Sequence, residues 1–183
     1  MSRRISIVGN SGSGKTALAR RAAAALGVAH IELDAIYHQP GWRPLDTPEF
    51  RRRVDAATDS EGWVTDGNYT GFVGDLVWAG ADTVVWLDLP RRTVMRQVVA
   101  RTIRRVLRRE LLWNGNREPW SNLYRWDPEL NIMRWAWTQH DKVRARYAAA
   151  MADPSYAHIR FVRVRSHAEA EAWLASLAPS VVP

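Results

Sequence analysis

Residues 9–16 read Gly-Asn-Ser-Gly-Ser-Gly-Lys-Thr, which is the spacing of a phosphate-binding loop. In such a loop, successive backbone N–H groups surround phosphate oxygens, and the positive N-terminus of the next helix points at the same anion. Lys15 is expected to contact the β- and γ-phosphates of ATP, and the Thr16 hydroxyl to bind Mg²⁺. The predicted nucleotide ligands of the loop are Gly9, Ser11, Gly12, Ser13, Gly14, Lys15 and Thr16.

Short apolar runs alternate with longer amphipathic segments along the 183 residues. Strands are predicted at 4–8, 28–33, 62–66, 83–88 and 158–164, and helices at 15–26, from Asp46, over 91–112, from Asp127 to about Met151, and up to about Leu177. This alternation predicts a single α/β domain with a parallel sheet and helices on both faces.

Three aspartates, Asp34, Asp66 and Asp88, follow predicted strands. The carboxyl ends of parallel strands form the edge of the sheet at which ligands bind, so these carboxylates are expected near the phosphates. Asp34 suits an acceptor-side base. Asp66 and Asp88 are alternative supports for the Mg²⁺ ion, and the pattern does not choose between them.

The net charge of +7 comes almost entirely from arginine, because only Lys15 and Lys142 are lysines. Residues 91–125 contain ten arginines and two glutamates, which predicts an anionic ligand for this segment. The arginines could close over a γ-phosphate, bind nucleic acid, or form a solvated face. Five of the ten tryptophans lie between positions 113 and 137, where they could stack on a base or pack a lid.

Residues 108–127 are predicted to form a mobile helical lid. Asn114-Gly-Asn116 tolerates left-handed backbone conformations, so a hinge is expected there. Within this segment, Arg117 is the preferred candidate for a γ-phosphate arginine. Arg109, together with Arg101 and Arg105, is a weaker candidate.

Several absences narrow the class of protein. The chain has no cysteine, so neither disulfides nor thiolate metal sites are expected. The five histidines lack metal-ligand spacing, and no apolar stretch approaches the roughly 20 residues of a membrane span. We therefore expect a cytoplasmic protein without a membrane partner.

Five motifs together resemble those of bacterial P-loop proteins of the adenylate-kinase-like, or "DNA topology modulation", family. These are the phosphate-binding loop, His30-Ile-Glu-Leu-Asp34, Asp66-Gly-Asn-Tyr69, Val85-Trp-Leu-Asp-Leu-Pro90 and Trp113-Asn-Gly-Asn-Arg-Glu118. The resemblance covers nearly the whole chain. It implies the fold of nucleoside monophosphate, shikimate and gluconate kinases, a five-stranded parallel sheet in the order 2-3-1-4-5 with a lid.

The resemblance also implies roles for individual residues. Asp34 resembles a substrate-side carboxylate, and Ser166-His167 resembles the segment that flanks adenine. Asp66-Gly67 resembles the pair that precedes Phe-Pro-Arg in adenylate kinases, but here Asn68-Tyr69-Thr70 follows. The arginine that grips a monophosphate acceptor is thus missing at that position, where Arg43 is a possible substitute.

The predicted function is a kinase that transfers the γ-phosphoryl group of ATP to a small acceptor bearing a hydroxyl or a phosphate. Nucleosides, nucleotides and sugar acids are the acceptor classes considered. The alternative is an ATP-binding ATPase or regulator that associates with nucleic acid through the arginine-rich helix 91–109.

Overall fold

The computed structural model describes residues 3–123 and 131–177. Its strands are β1 (Arg4–Gly9), β2 (Ala29–Glu32), β3 (His38–Gln39), β4 (Arg43–Pro44), β5 (Trp63–Asp66), β6 (Thr83–Leu87) and β7 (Arg160–Val164). Five of them form a parallel sheet in the order β2-β5-β1-β6-β7, while β3 and β4 form a separate antiparallel hairpin. Counted without the hairpin, the sheet has the order 2-3-1-4-5, as predicted.

Seven α-helices occur in the described residues: α1 (Lys15–Leu26), α2 (Leu33–Tyr37), α3 (Thr47–Thr58), α4 (Thr70–Ala79), α5 (Arg91–Leu107), α6 (Ile132–Ala152) and α7 (His167–Ala175). Short 3₁₀ turns lie at Pro40–Trp42, Trp113–Gly115, Trp120–Leu123 and Pro154–Tyr156. Among these elements, no helix combines the length and the apolar composition needed to cross a membrane.

The sheet has a hydrophobic core on each face. One core is small and alanine-rich, because Ala19 and Ala22 of α1 are fully buried and pack in the same cluster as Ile5 and Ile7 of β1. The opposite core is aromatic and contains Phe50, Trp63, Trp78, Trp86 and Tyr147. Burial on both faces explains why β1 and β6 appear in the sequence as continuous apolar runs.

The predicted ends of two helices are confirmed. Helix α1 stops at Gly27, which adopts a left-handed conformation (φ 65°) and donates its N–H to the last turn. Helix α3 begins after Asp46, whose side chain accepts a hydrogen bond from the N–H of Glu49.

Three details differ from the sequence prediction. Asp34 lies on the short helix α2 and not in a loop. Helix α5 ends at Leu107, because Arg109 adopts a left-handed conformation (φ 49°) in a Schellman-type turn. Helix α4 was not predicted, since it is mostly apolar and contains two glycines. The predicted helix start at Asp127 lies outside the described residues.

Candidate active site

The phosphate-binding loop connects β1 to α1 and packs tightly against neighbouring elements. Gly12 has a φ of 84°, and a Cβ placed there would lie 2.7 Å from the Cβ of Val98 on α5. Gly9 has a φ of 144°, and its Cβ would lie 2.7 Å from the backbone oxygen of Leu87. Both positions therefore require glycine, because a side chain would push the loop away from α5 and β6.

Lys15 bends back over the loop that precedes it. Its Nζ donates hydrogen bonds to the backbone oxygens of Gly9 (2.9 Å) and Asn10 (3.0 Å). Burial lowers the pKa of Lys15, while the carboxylates of Asp34 and Asp66 act in the opposite direction. The ammonium group thus contacts the phosphate-binding loop and experiences the charges of two of the predicted carboxylates.

Asn68 fixes the start of the loop. Its Nδ2 donates to the backbone oxygen of Gly9 (2.7 Å), and its Oδ1 accepts from the Gly9 N–H (3.2 Å). The hydroxyl of Tyr147 on α6 donates to the same Oδ1 (3.1 Å). An amide is needed at this position, because both a donor and an acceptor are used.

Tyr69 orients Asp34. The Tyr69 hydroxyl donates a short hydrogen bond to Asp34 Oδ1 (2.6 Å), and His38 Nε2 lies 3.4 Å from the same hydroxyl. Burial, followed by the Asp34 charge, raises the pKa of Tyr69, so the phenol stays protonated and acts as a donor. Tyr69 ends the Asp66-Gly-Asn-Tyr69 motif, but no role for it was predicted from the sequence.

Asp66 fits a supporting role in a magnesium site. It is 2% exposed, and its register partner on β1 is Ile7, two residues before the loop. Its Oδ2 is buried without a hydrogen-bond partner in the described residues, and His30 Nε2 is 3.6 Å away. Mg²⁺ takes oxygen ligands and keeps several waters, so the Thr16 hydroxyl and a carboxylate such as Asp66 are suitable in chemical type.

Asp88 has different surroundings. Its Oδ2 accepts from Arg163 Nε (2.9 Å), and its Oδ1 lies 3.4 Å from Arg144 Nε. Each oxygen therefore already contacts an arginine, which favours Asp66 over Asp88 for the magnesium site.

A cavity of about 400 Å³ adjoins Asp88. Its other lining residues are Leu89, Pro90, Arg91, His140, Asp141, Arg144 and Arg165.

Arg101 is the arginine that the structure brings to the phosphate-binding loop. Its Nη2 donates to Ser11 Oγ (3.3 Å), and burial lowers its pKa. In contrast, Arg109 is exposed two helical turns further along the chain. Arg117 is also exposed, and its backbone oxygen accepts from Trp42 Nε1 (2.9 Å). Sequence reasoning ranked Arg101 lower, although its neighbours Val98 and Thr102 belong to the buried face of α5.

Ser166 and His167 lie at the start of α7. The Ser166 hydroxyl accepts from the Glu169 N–H (3.1 Å), so this serine caps the helix. His167 Nε2 is 2.8 Å from the side-chain nitrogen of Gln97. Of the two residues predicted to flank adenine, His167 therefore contacts a residue that precedes the loop-contacting Arg101 by about one turn of α5.

Asn116 attaches the 113–118 segment to the β3–β4 hairpin. Its Oδ1 accepts from the N–H groups of Gly41 (2.8 Å) and Trp42 (3.0 Å), and its Nδ2 donates to the backbone oxygen of Gln39 (3.0 Å). Asn116 is only 4% exposed. One amide therefore holds three backbone groups of a turn more than 70 residues away.

Two further side chains of this segment contact residues around Asp34. Asn114 donates to the backbone oxygens of Ala35 (3.0 Å) and His38 (2.6 Å). The Nε1 of Trp113 donates to Glu32 Oε2 (2.6 Å). Asn114 has a φ of 54°, in line with the predicted left-handed backbone. The mobility of the lid stays a prediction, and its residues 124–127 lie outside the described residues.

We expect Asn116→Ala to destabilise the protein by about 1–3 kcal/mol, because three hydrogen bonds to the hairpin are lost. Asn116→Asp keeps the two accepted hydrogen bonds but places a buried carboxylate oxygen against the backbone oxygen of Gln39, so it should destabilise the protein at least as much. Urea unfolding followed by circular dichroism measures both effects. An unchanged unfolding midpoint in Asn116→Ala would mean that water replaces the amide without cost.

Comparison with known proteins supports the fold. No family model and no curated protein matches the chain. Among solved structures, shikimate kinase from Acinetobacter baumannii is similar over 97% of this chain and 91% of its own, with 16% identity and a TM-score of 0.56. Deoxyadenosine kinase from M. mycoides, solved with dCMP and dCDP, is similar over 94% of this chain and 97% of its own, with 14% identity and a TM-score of 0.55. Shikimate kinase from Bacteroides thetaiotaomicron is similar over 97% of this chain and 97% of its own, with 16% identity and a TM-score of 0.54. The chain therefore has the α/β fold of P-loop kinases.

Proposed function

We propose that the protein is a kinase that transfers the γ-phosphoryl group of ATP to a hydroxyl group of a small molecule. The main support is the contact of Lys15 with the phosphate-binding loop, together with the influence on Lys15 of the charge of Asp34, whose carboxylate is oriented by Tyr69. A phosphate site and an oriented carboxylate are the two halves of a phosphoryl-transfer site.

In this proposal each residue has a defined task. The loop N–H groups and Lys15 bind the phosphates, and Thr16, supported by Asp66, holds the metal ion. When bound, Mg²⁺ neutralises charge on the β- and γ-phosphates. Arg101 stabilises the negative charge of the transferring group. Ser166 and His167 would flank the adenine ring.

Asp34 would orient the acceptor hydroxyl or accept its proton as the new bond to phosphorus forms. A hydroxyl acceptor is favoured over a monophosphate for two reasons. First, Thr70 stands at the position of the arginine in the Phe-Pro-Arg pattern, and Asn68 binds the backbone of the loop. Second, Arg43 is exposed, and its Nε donates to the backbone oxygen of Pro40.

The test is a screen for acceptor-dependent ADP release with Mg²⁺ and ATP. The panel contains nucleosides, nucleoside monophosphates, sugar acids and neutral sugars. The proposal expects a hydroxyl compound to raise ADP release well above the rate without acceptor, with the phosphorylated product identified by mass spectrometry. If ATP binds but no acceptor from any class raises ADP release, the alternative of a nucleotide-binding regulator gains support.

The nucleic-acid alternative depends on free arginines along α5, and several of them have partners within the protein. Arg91 pairs with Asp141, Arg104 with Glu110, Arg105 with Glu118, and Arg101 contacts Ser11. Arg92, Arg96 and Arg108 are exposed. DNA binding that weakens steeply with salt would support this alternative.

The choice of arginine can be tested with a matched pair of variants. Arg101→Ala is expected to reduce acceptor-dependent turnover by at least about a hundredfold, because it removes a buried charge at the phosphate-binding loop. Arg117→Ala should change turnover by less than about threefold, because its side chain is exposed. Steady-state kinetics at saturating ATP measures both effects. The reverse order of effects would mean that the lid moves to place Arg117 over the phosphates.

A further inference from the structure

Three side-chain atoms of α5 and the 113–118 segment are buried without a hydrogen-bond partner in the described residues. They are Arg101 Nε, Arg105 Nε and Glu118 Oε2. The side chains of Arg105 and Glu118 are 19% and 6% exposed. Burying two arginines and a glutamate is costly unless their charges compensate one another.

Glu118 is the carboxylate that provides this compensation. Its Oε2 is 3.7 Å from Arg105 Nη1, and its Oε1 accepts from Asn122 Nδ2 (3.3 Å). Arg105 lies one turn after Arg101, so the two guanidinium groups repel each other. Burial and then the Arg105 charge lower the pKa of Arg101, while Glu118 acts in the opposite direction.

We propose that Glu118 is a positioning residue, which holds Arg105 and thereby keeps the Arg101 guanidinium at Ser11 of the phosphate-binding loop. The inference rests on the proposed function, because it assigns Arg101 to the γ-phosphate. Without the Glu118 charge, repulsion between the two buried arginines is unbalanced, and at least one of them leaves for solvent.

The chain contains a matched control, in which the arginine partner lies on the same helix α5. Glu110 forms an ion pair with Arg104 at 3.1 Å, but these side chains are 30% and 54% exposed. Exposed pairs contribute little because water screens them. Glu110→Gln therefore makes the same chemical change as Glu118→Gln in a pair that faces solvent.

The test measures the affinity of the full chain for Mg²⁺–ADP and for a non-hydrolysable ATP analogue by calorimetry. Only the analogue has a γ-phosphate, so the ratio of the two dissociation constants reports contacts to that group. Glu118→Gln should reduce the preference for the analogue by about tenfold, while the dissociation constant of ADP changes by less than about twofold. Glu110→Gln should leave both constants at wild-type values.

Arg105→Ala removes the repulsion itself, and it tests the same charge balance also in the event that Glu118→Gln does not fold. It should leave the preference for the analogue within about twofold of wild type, and the double variant with Glu118→Gln should regain most of the preference. An unchanged preference in Glu118→Gln, or a double variant with about a tenfold loss of preference, overturns the inference. Failure of the wild-type protein to bind either nucleotide would instead overturn the proposed function.

Discussion

Lys15→Ala is expected to reduce phosphoryl transfer by at least about a thousandfold, the largest effect of any single substitution. Within the described residues, the Nζ of Lys15 donates hydrogen bonds to the backbone oxygens of Gly9 and Asn10. With ATP bound, its charge would serve the β- and γ-phosphates and the charge that develops between them. Turnover and nucleotide affinity are measured in parallel.

The protein supplies its own control, because Lys142 is the second of only two lysines and is exposed on α6. Lys142→Ala should retain wild-type turnover. We expect Lys15→Ala to remain folded, with a free energy of unfolding within about 1 kcal/mol of wild type, because its two hydrogen bonds are balanced by relief from burial. A folded Lys15→Ala protein with near wild-type turnover would exclude the proposed mechanism.

Asp34→Asn is expected to reduce turnover by at least about a hundredfold, the lower range for loss of a general base. The amide keeps the shape of the side chain but cannot take a proton from the acceptor. ATP affinity should stay within a few-fold of wild type, because Asp34 is assigned to the acceptor. Single-turnover kinetics and calorimetry separate the two quantities.

Tyr69→Phe is the companion variant, since it removes the hydroxyl that donates to Asp34 and leaves the ring in place. The reduction in turnover should be smaller than in Asp34→Asn, about tenfold, because the carboxylate is kept but is less well oriented. If ATP affinity falls in step with turnover in Asp34→Asn, then Asp34 belongs to the nucleotide site and the assignment is wrong.

Much of the fold could be predicted from local patterns. Short stretches of sequence contain the signals for the glycine loop at 9–16, the apolar runs of β1 and β6, and the helix ends at Gly27 and Asp46. These signals depend on backbone conformation and burial, which a short stretch of sequence specifies. The order of the sheet strands came from the resemblance.

The features that could not be predicted from the sequence are contacts between distant segments. Asn116 binds a turn 74 and 75 positions earlier, and Asn68 binds Gly9 at a separation of 59. No local periodicity encodes such pairs. The contact of Arg101 with Ser11 could not be predicted for a similar reason: an arginine in an amphipathic helix is usually solvated, and only the packed structure shows that this one faces the loop.

The 113–118 segment joins the proposed acceptor site and the proposed ATP site through one short piece of chain. Asn116 holds the hairpin beside Asp34, and Glu118 contacts Arg105 next to the loop-contacting Arg101. A ligand that orders one end therefore reduces the entropy cost of ordering the other. Thermodynamic linkage makes this effect reciprocal, so acceptor and ATP should each increase the affinity of the other by the same factor. Such synergy would also limit wasteful hydrolysis, because water alone cannot order the acceptor side.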